Sequence, residues 1–272
     1  MTATTISINQ QQKQRTNLLV QIALVTWRNL VTIFRTPSAL IPPLGISIFF
    51  LVIYESTLGK AAGFIPNLSD NSYLGFILPL SIVSSSLSGA GISAQNLVRD
   101  IESGYFDKLL LTPVSRGALL LGPILAGALI LGFQTTIVVC VALVMGLNSA
   151  TGAGGLLVVI GLSVLLGTGF AGFTVSAALG SGNAAATQGA SFVFFPLTFL
   201  TASFVPLDLL SGWLKTAARF NPITYVLEAM RTTLNSGWDS NALLQGFIAC
   251  LILGTLMYAL AVYALRVRTR RN

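Results

Sequence analysis

Between Arg116 and Asp208 the chain runs for 91 residues without one charged side chain. A soluble domain carries about a quarter of its residues as Asp, Glu, Lys or Arg, and no water-bounded surface could be built from a run of this kind. Across the whole sequence only 8% of the 272 residues are charged, 54% are apolar, and mean hydropathy is +0.81. Helices that face lipid need apolar side chains all round, so the expected fold class is an all-α membrane protein.

One span takes roughly 20 residues, so the long run must hold several. Two polar, glycine-rich breaks at 146–155 and 180–189 divide it into expected spans near 119–145, 154–179 and 187–205. The other uncharged stretches supply spans near 38–58, 73–95 and 242–264, which makes six. An even number puts both termini on one side. Lys13, Arg15, Arg28, Arg35, Arg99, Lys108, Arg116, Arg266, Arg268, Arg270 and Arg271 fall on that side, against Lys60, Lys215, Arg219 and Arg231 on the other. The positive-inside rule therefore makes it the cytoplasm, and the expected location is a bacterial-type plasma (inner) membrane, crossed several times.

The same distribution excludes nucleic acid as a partner. A net charge of +7 could suggest it, but the basic residues sit at the ends of apolar runs and form no stripe with interleaved aromatics. The absence of histidine removes the commonest general base and metal ligand. Cys140 and Cys250 lie inside apolar runs and read as packing residues, so no metal site is expected.

Residues 1–17 read as a flexible, Gln-rich cytoplasmic tail without a signal-peptide cleavage site, and 266–272 as a basic cytoplasmic tail. Between them, 18–36 reads as an interfacial amphipathic helix. Gln21, Arg28 and Arg35 recur every seven residues with Thr32 between, a narrow polar face opposite Trp27 and its apolar neighbours, and a span would bury both arginines. The transmembrane domain is expected over 37–265. Within it, 206–237 contains two helical patterns too short to cross, introduced by Pro206 and carrying Trp213, Glu228 and Arg231. Asn221 and Pro222 supply an N-cap and a first-turn proline to the second, whose stripe is Ile223, Leu227, Met230 and Leu234. Fifteen helical residues reach roughly 22 Å, short of a hydrocarbon core of about 30 Å, so these two helices should dip into the outer leaflet and return.

Two sets of residues are candidates for a substrate path. Glu55 is the one carboxylate expected inside a span, about a turn from its outer end. Ser84, Ser85, Ser86, Ser88, Gly89 and Gly91 on the second span allow close helix approach or a mildly polar path, between two copies of the chain or within one. Nothing here hydrolyses nucleotide. A phosphate-binding loop needs Gly-x-x-x-x-Gly-Lys-Ser/Thr, and Gly59-Lys60 is followed by Ala61 and preceded at the required distance by Tyr54.

Against this background six charges crowd between residues 99 and 116: Arg99, Asp100, Glu102, Asp107, Lys108 and Arg116. Apolar Tyr105, Phe106, Leu109 and Leu110 accompany them, and Pro113 closes the segment. A short helix pressed by a partner needs charges for register and apolar anchors for grip. A channel or secondary carrier without an ATPase is the alternative in a different class, and a membrane enzyme a third.

The stretch "RDIESGYFDKLLLTPVSRGALLLGPIL", followed downstream by "FVPLDLLSGWLKTAARFNPITYVLEAMR", resembles the membrane subunits of ABC-2 type exporters, the branch that includes daunorubicin-resistance-type drug permeases. The resemblance covers essentially the whole chain. It implies a permease paired with a second copy, and a cytoplasmic ABC ATPase that holds ATP and Mg, with no cofactor in this chain. It also implies that residues 96–116 are the coupling segment on which that ATPase acts. Drug, lipid and glycolipid all remain open as cargo.

Overall fold

The computed structural model describes residues 17–58, 73–201 and 210–271. Every regular element among them is helical: α1 (Leu18–Phe34), α2 (Pro37–Leu58), α3 (Tyr73–Glu102), α4 (Tyr105–Leu110), α5 (Arg116–Val144), α6 (Gly152–Ser181), α7 (Ala184–Ser191), α8 (Phe194–Phe199), α9 (Gly212–Phe220), α10 (Pro222–Asn235) and α11 (Ser240–Arg271). Five of these, α2, α3, α5, α6 and α11, are long and apolar enough to cross a membrane. Each coincides with a charge-free run, as expected where backbone groups can be satisfied only within a helix.

α3 is the axis of the bundle. In its most apolar stretch 93% of residues are buried, against 22% in α2 and 28% in α11, whose outer faces are left for lipid. Ile77, Leu78, Ile82 and Val83 of α3 join Leu166 and Phe170 of α6 and Leu227 and Met230 of α10 in one apolar core. On α3 Ser85 is buried and Ser84 half-buried, and Ser84 donates to the Leu80 carbonyl of its own helix at 2.9 Å. The side chain of Ser88 lies outside the described residues.

α6 and α11 run side by side in the same direction. Cys250 meets Leu162, Leu253 meets Gly169, Met257 meets Gly172, and Arg268 donates to the Leu179 carbonyl at 3.2 Å. Glycine permits the approach: a methyl group at Gly169 would stand 2.9 Å from Leu253, and one at Gly172 3.2 Å from Met257. Both helices thus end at the same face of the bundle, the Arg268 end, which also holds the end of α3 and the start of α5. The opposite, Arg231 end holds the start of α3, where Arg231 Nε donates to the Phe76 carbonyl at 3.0 Å.

Since α6 and α11 are parallel, the chain between them must return. The expected fifth span, 187–205, is not one continuous helix but two short ones, α7 and α8, broken at Phe192 and Val193. Pro196 explains the break. It has no N–H to give the Phe192 carbonyl and its ring crowds that turn, and in the tightened turn before it the N–H groups of Phe192 and Val193 donate to the carbonyls of Gly189 and Ala190. The pieces still progress from one end toward the other: Gln95 donates to Gln188 at 2.7 Å, Phe194 packs on Phe170 and Phe173, and Leu197 and Leu200 reach Asn221.

The two short helices before the last span are present as α9 and α10, and Pro206 lies outside the described residues. The stripe Ile223, Leu227, Met230 and Leu234 is fully buried, Glu228 is exposed, and Trp213 and Phe220 of α9 are 74% and 86% exposed. Pro222 takes the first helical turn of α10 as expected, but Asn221 does more than cap it. Its Oδ1 accepts from the Ile223 N–H at 3.0 Å while its Nδ2 donates to the carbonyls of Leu197 at 2.7 Å and Leu200 at 3.2 Å. One buried amide therefore closes the end of α8 and the start of α10. Asn221→Ala should lower stability by about 2 kcal/mol or more, and Asn221→Asp, which keeps only the accepting half, should not restore it. Thermal unfolding in detergent checks both, and a wild-type melting temperature for Asn221→Asp would reduce the residue to a simple cap.

Candidate functional site

At the Arg268 end the backbone reverses twice within a few residues. α3 stops at Glu102, and Gly104 takes a left-handed conformation with φ of 69°, which a side chain would resist. α4 follows for six residues. Thr112 Oγ1 donates to the Leu109 carbonyl at 2.6 Å, Pro113 blocks continuation, and the Ser115 hydroxyl caps α5 by accepting from Ala118 N–H at 3.2 Å.

What anchors α4 is Phe106. Expected to project toward a partner, it instead points inward, 2% exposed, among Leu97 and Val98 of α3, Leu120 and Ile124 of α5, Leu179 of α6 and Leu265 of α11. The reason is geometric: a six-residue helix lying across the bundle must bury one side, and the ring fills the space where four long helices end. Arg268 stands over that ring at 5.9 Å from its centroid. The outward side carries the remaining expected residues. Arg99, Glu102, Asp107, Lys108, Pro113 and Arg116 are exposed, Tyr105 is 42% exposed, and Leu109 and Leu110 are half-buried. Leu111, at 89% exposure, adds an apolar group that the sequence reading did not single out.

α1 is fastened to the same place. Arg28 forms an ion pair with Asp100 at the end of α3 and sits 4.8 Å from the centroid of the Tyr105 ring. About two turns earlier, Gln21 Oε1 accepts the Ser115 N–H at 2.8 Å, ahead of α5. Gln21, Thr26 and Asn29 are buried, whereas Leu19, Leu24 and Trp27 are more than 60% exposed. Of the expected polar face, the Gln21 and Arg28 part is thus turned to the protein, whereas Thr32 and Arg35 are exposed. Gly122 on α5 makes the contact close, since any side chain there would collide with Val25.

Gln21 and Arg268 were missed in the sequence as parts of this site. Gln21 carried a signal, its seven-residue spacing from Arg28, but Arg268 looked like any basic residue at a helix end. The other candidates lie elsewhere. Glu55 on α2 and Arg231 on α10 belong to the opposite end, and Arg231, only 4% exposed, lies 3.8 Å from the centroid of the Phe76 ring.

With this geometry in view, comparison with known proteins is decisive at the level of family. The family model described as "ABC-2 type transporter" matches residues 20–235. The chain belongs to the ABC-2 type transporter family. It is 28% identical over 254 residues, 90% of this chain and 84% of the relative, to the daunorubicin resistance ABC transporter permease protein of Streptomyces coeruleorubidus. It is 27% identical over 213 residues, 78% of this chain and 76% of the relative, to the protein named "Probable doxorubicin resistance ABC transporter permease protein" in Mycobacterium tuberculosis. This ABC-2 chain is accordingly a multi-pass membrane transport component, and its family implies an ABC ATPase partner in general.

The Arg28–Asp100 pair is 36% and 23% exposed, so solvent screens it. A double-mutant cycle with Arg28→Ala and Asp100→Ala should give a coupling of about 1 kcal/mol or less by thermal unfolding. The positional effect should be larger than the energetic one: either substitution should lower disulfide trapping between cysteines placed at Gln21 and Ser115. Unchanged trapping would show that α1 is held without the ion pair.

Proposed function

We propose that this ABC-2 permease is the membrane subunit of an ATP-driven exporter, moving a hydrophobic or amphiphilic substrate out of the cytoplasm or the inner leaflet. ATP and Mg are held by a separate cytoplasmic ABC ATPase. The names of the two relatives, which refer to doxorubicin and daunorubicin resistance, support a cargo of the drug kind. The observation that carries the reading is the two-sided construction of α4, with Phe106 sealed into the bundle and Glu102, Tyr105, Asp107, Lys108 and Leu111 presented outward. A solvated loop needs no such base.

In this reading, closure of two ATPases presses α4 in each of two permease copies. Phe106 passes the displacement to the ends of α3, α5, α6 and α11 together, while Arg28 and Gln21 carry α1 with them. α1, 17 residues long with an exposed apolar side, then shifts within the lipid interface. The protein sits in a bacterial-type plasma membrane with both termini and residues 96–116 in the cytoplasm. Residues 206–237 enter the outer leaflet from outside and return.

Reconstitution with the ATPase tests the coupling. Glu102→Lys and Leu111→Ala should abolish substrate-stimulated hydrolysis and co-purification while leaving thermal stability unchanged. Phe106→Ala should act differently, destabilising the permease itself by about 3 kcal/mol or more because it empties a buried aromatic site. Retention of full stimulation by both surface variants would sink the coupling role and leave a carrier or channel.

Orientation has its own measurement. A cysteine at Asn235 should react with an impermeant reagent applied outside intact cells, and one at Ser103 only after permeabilisation. The opposite pattern would invert the topology.

A further inference from the structure

Glu55 is the one acidic residue of α2 and occupies the helix stripe that faces the bundle. Leu40, Ser47 and Leu51 on that stripe are buried, and Ser47 donates to the Ser81 carbonyl of α3 at 2.9 Å. Glu55 follows Leu51 by one turn, so it too is directed at α3. Its Oε2 is shielded from solvent and makes no hydrogen bond. A carboxylate held in this way at membrane depth is costly unless something positive meets it.

The nearest candidate, Arg231, is committed elsewhere. Its Nε bonds the Phe76 carbonyl, its guanidinium lies 3.8 Å from the centroid of the Phe76 ring, and the carboxylate acting on it is that of Glu228. Among the described residues no cation pairs with Glu55. Two stacked aromatic pairs lie at the same end of the bundle. The adjacent Tyr54 is stacked on Phe50 with centroids 5.4 Å apart, and Tyr73 is stacked on Phe76 at 6.1 Å. The charges of Arg231, Glu55 and Tyr54 all act on the Tyr73 hydroxyl. An unpaired carboxylate among aromatic rings is the arrangement that recognises an organic cation, by charge and by cation–π attraction together.

We propose that Glu55, Tyr54 and Tyr73 form a binding site for lipophilic organic cations at the Arg231 end of the bundle. Its meaning as a cargo site rests on the exporter reading above; its existence as a binding site does not.

The test uses a matched pair of probes, tetraphenylphosphonium and tetraphenylborate, which share shape and aromatic surface and differ in the sign of the charge. The full chain is placed in phosphatidylcholine nanodiscs without ATPase or nucleotide, and binding is measured by equilibrium dialysis with empty discs subtracted. The wild-type chain should retain the phosphonium. Glu55→Gln should weaken it by more than about tenfold, while binding of the borate stays the same or rises. Glu55→Asp, which keeps the charge, and Tyr73→Phe, which keeps the ring, should both retain the phosphonium, and Tyr73→Leu should lose it. Variants are compared only when they elute as the wild type does, and if Glu55→Gln does not, the Tyr73 pair decides. Equal phosphonium binding by wild type and Glu55→Gln would overturn the site, as would equal binding by Tyr73→Phe and Tyr73→Leu or no retention above empty discs. Because no ATPase is present, loss of coupling in the reconstituted system would remove the exporter reading and leave this result standing.

Discussion

The parallel contact between α6 and α11 is the constraint on which the rest of the architecture depends. Helices that meet in the same direction cannot be joined by a short turn, so everything from Asn183 to Asp239 exists to bring the chain back across the bundle and start it again. That return is made of short pieces, α7 to α10, and short pieces inside a bundle expose carbonyls that hydrocarbon cannot satisfy. Asn221 answers part of this need by bonding the end of α8 and the start of α10 at once. The glycines at 169 and 172 and the amide at 221 are therefore parts of one solution: the first two set the direction of the last span, and the third makes the return tolerable.

The long helices were legible in the sequence because charge is so expensive in lipid that its absence marks a span almost residue by residue. The start of α10 was legible for a local reason, since Asn221 and Pro222 act through their own backbone. The fifth crossing was not. Its charge-free run looked like the others, and only the position of Pro196 within the turn decides that the helix breaks at Phe192. Nor could the facing of short elements be read. Six residues give no usable periodicity, so nothing in the sequence says that Phe106 turns in while Tyr105 and Leu111 turn out. For α1 the spacing of Gln21 and Arg28 correctly marked one face, but whether water or protein occupied it depended on Asp100 and Ser115, more than seventy residues away in the chain.

The two ends of the bundle differ in how they handle charge. At the Arg268 end one ion pair and two cation–π contacts join separate elements. At the Arg231 end Arg231 is buried and is met by a carbonyl and a ring, while Glu228 is exposed. Glu55 departs from that pattern as a half-buried acid with no hydrogen bond to its inner oxygen.

The inward turn of Phe106 has a consequence for how this protein can change over time. It divides α4 into an underside whose residues are fixed by packing and an outer side tied back more loosely, through Tyr105 against Arg28. Under the proposed coupling role, substitutions on the outer side can accumulate without disturbing the bundle, so the choice of ATPase can drift, narrow or be exchanged while the membrane architecture stays the same. A segment of only six residues thereby separates the inheritance of the fold from the inheritance of the partner.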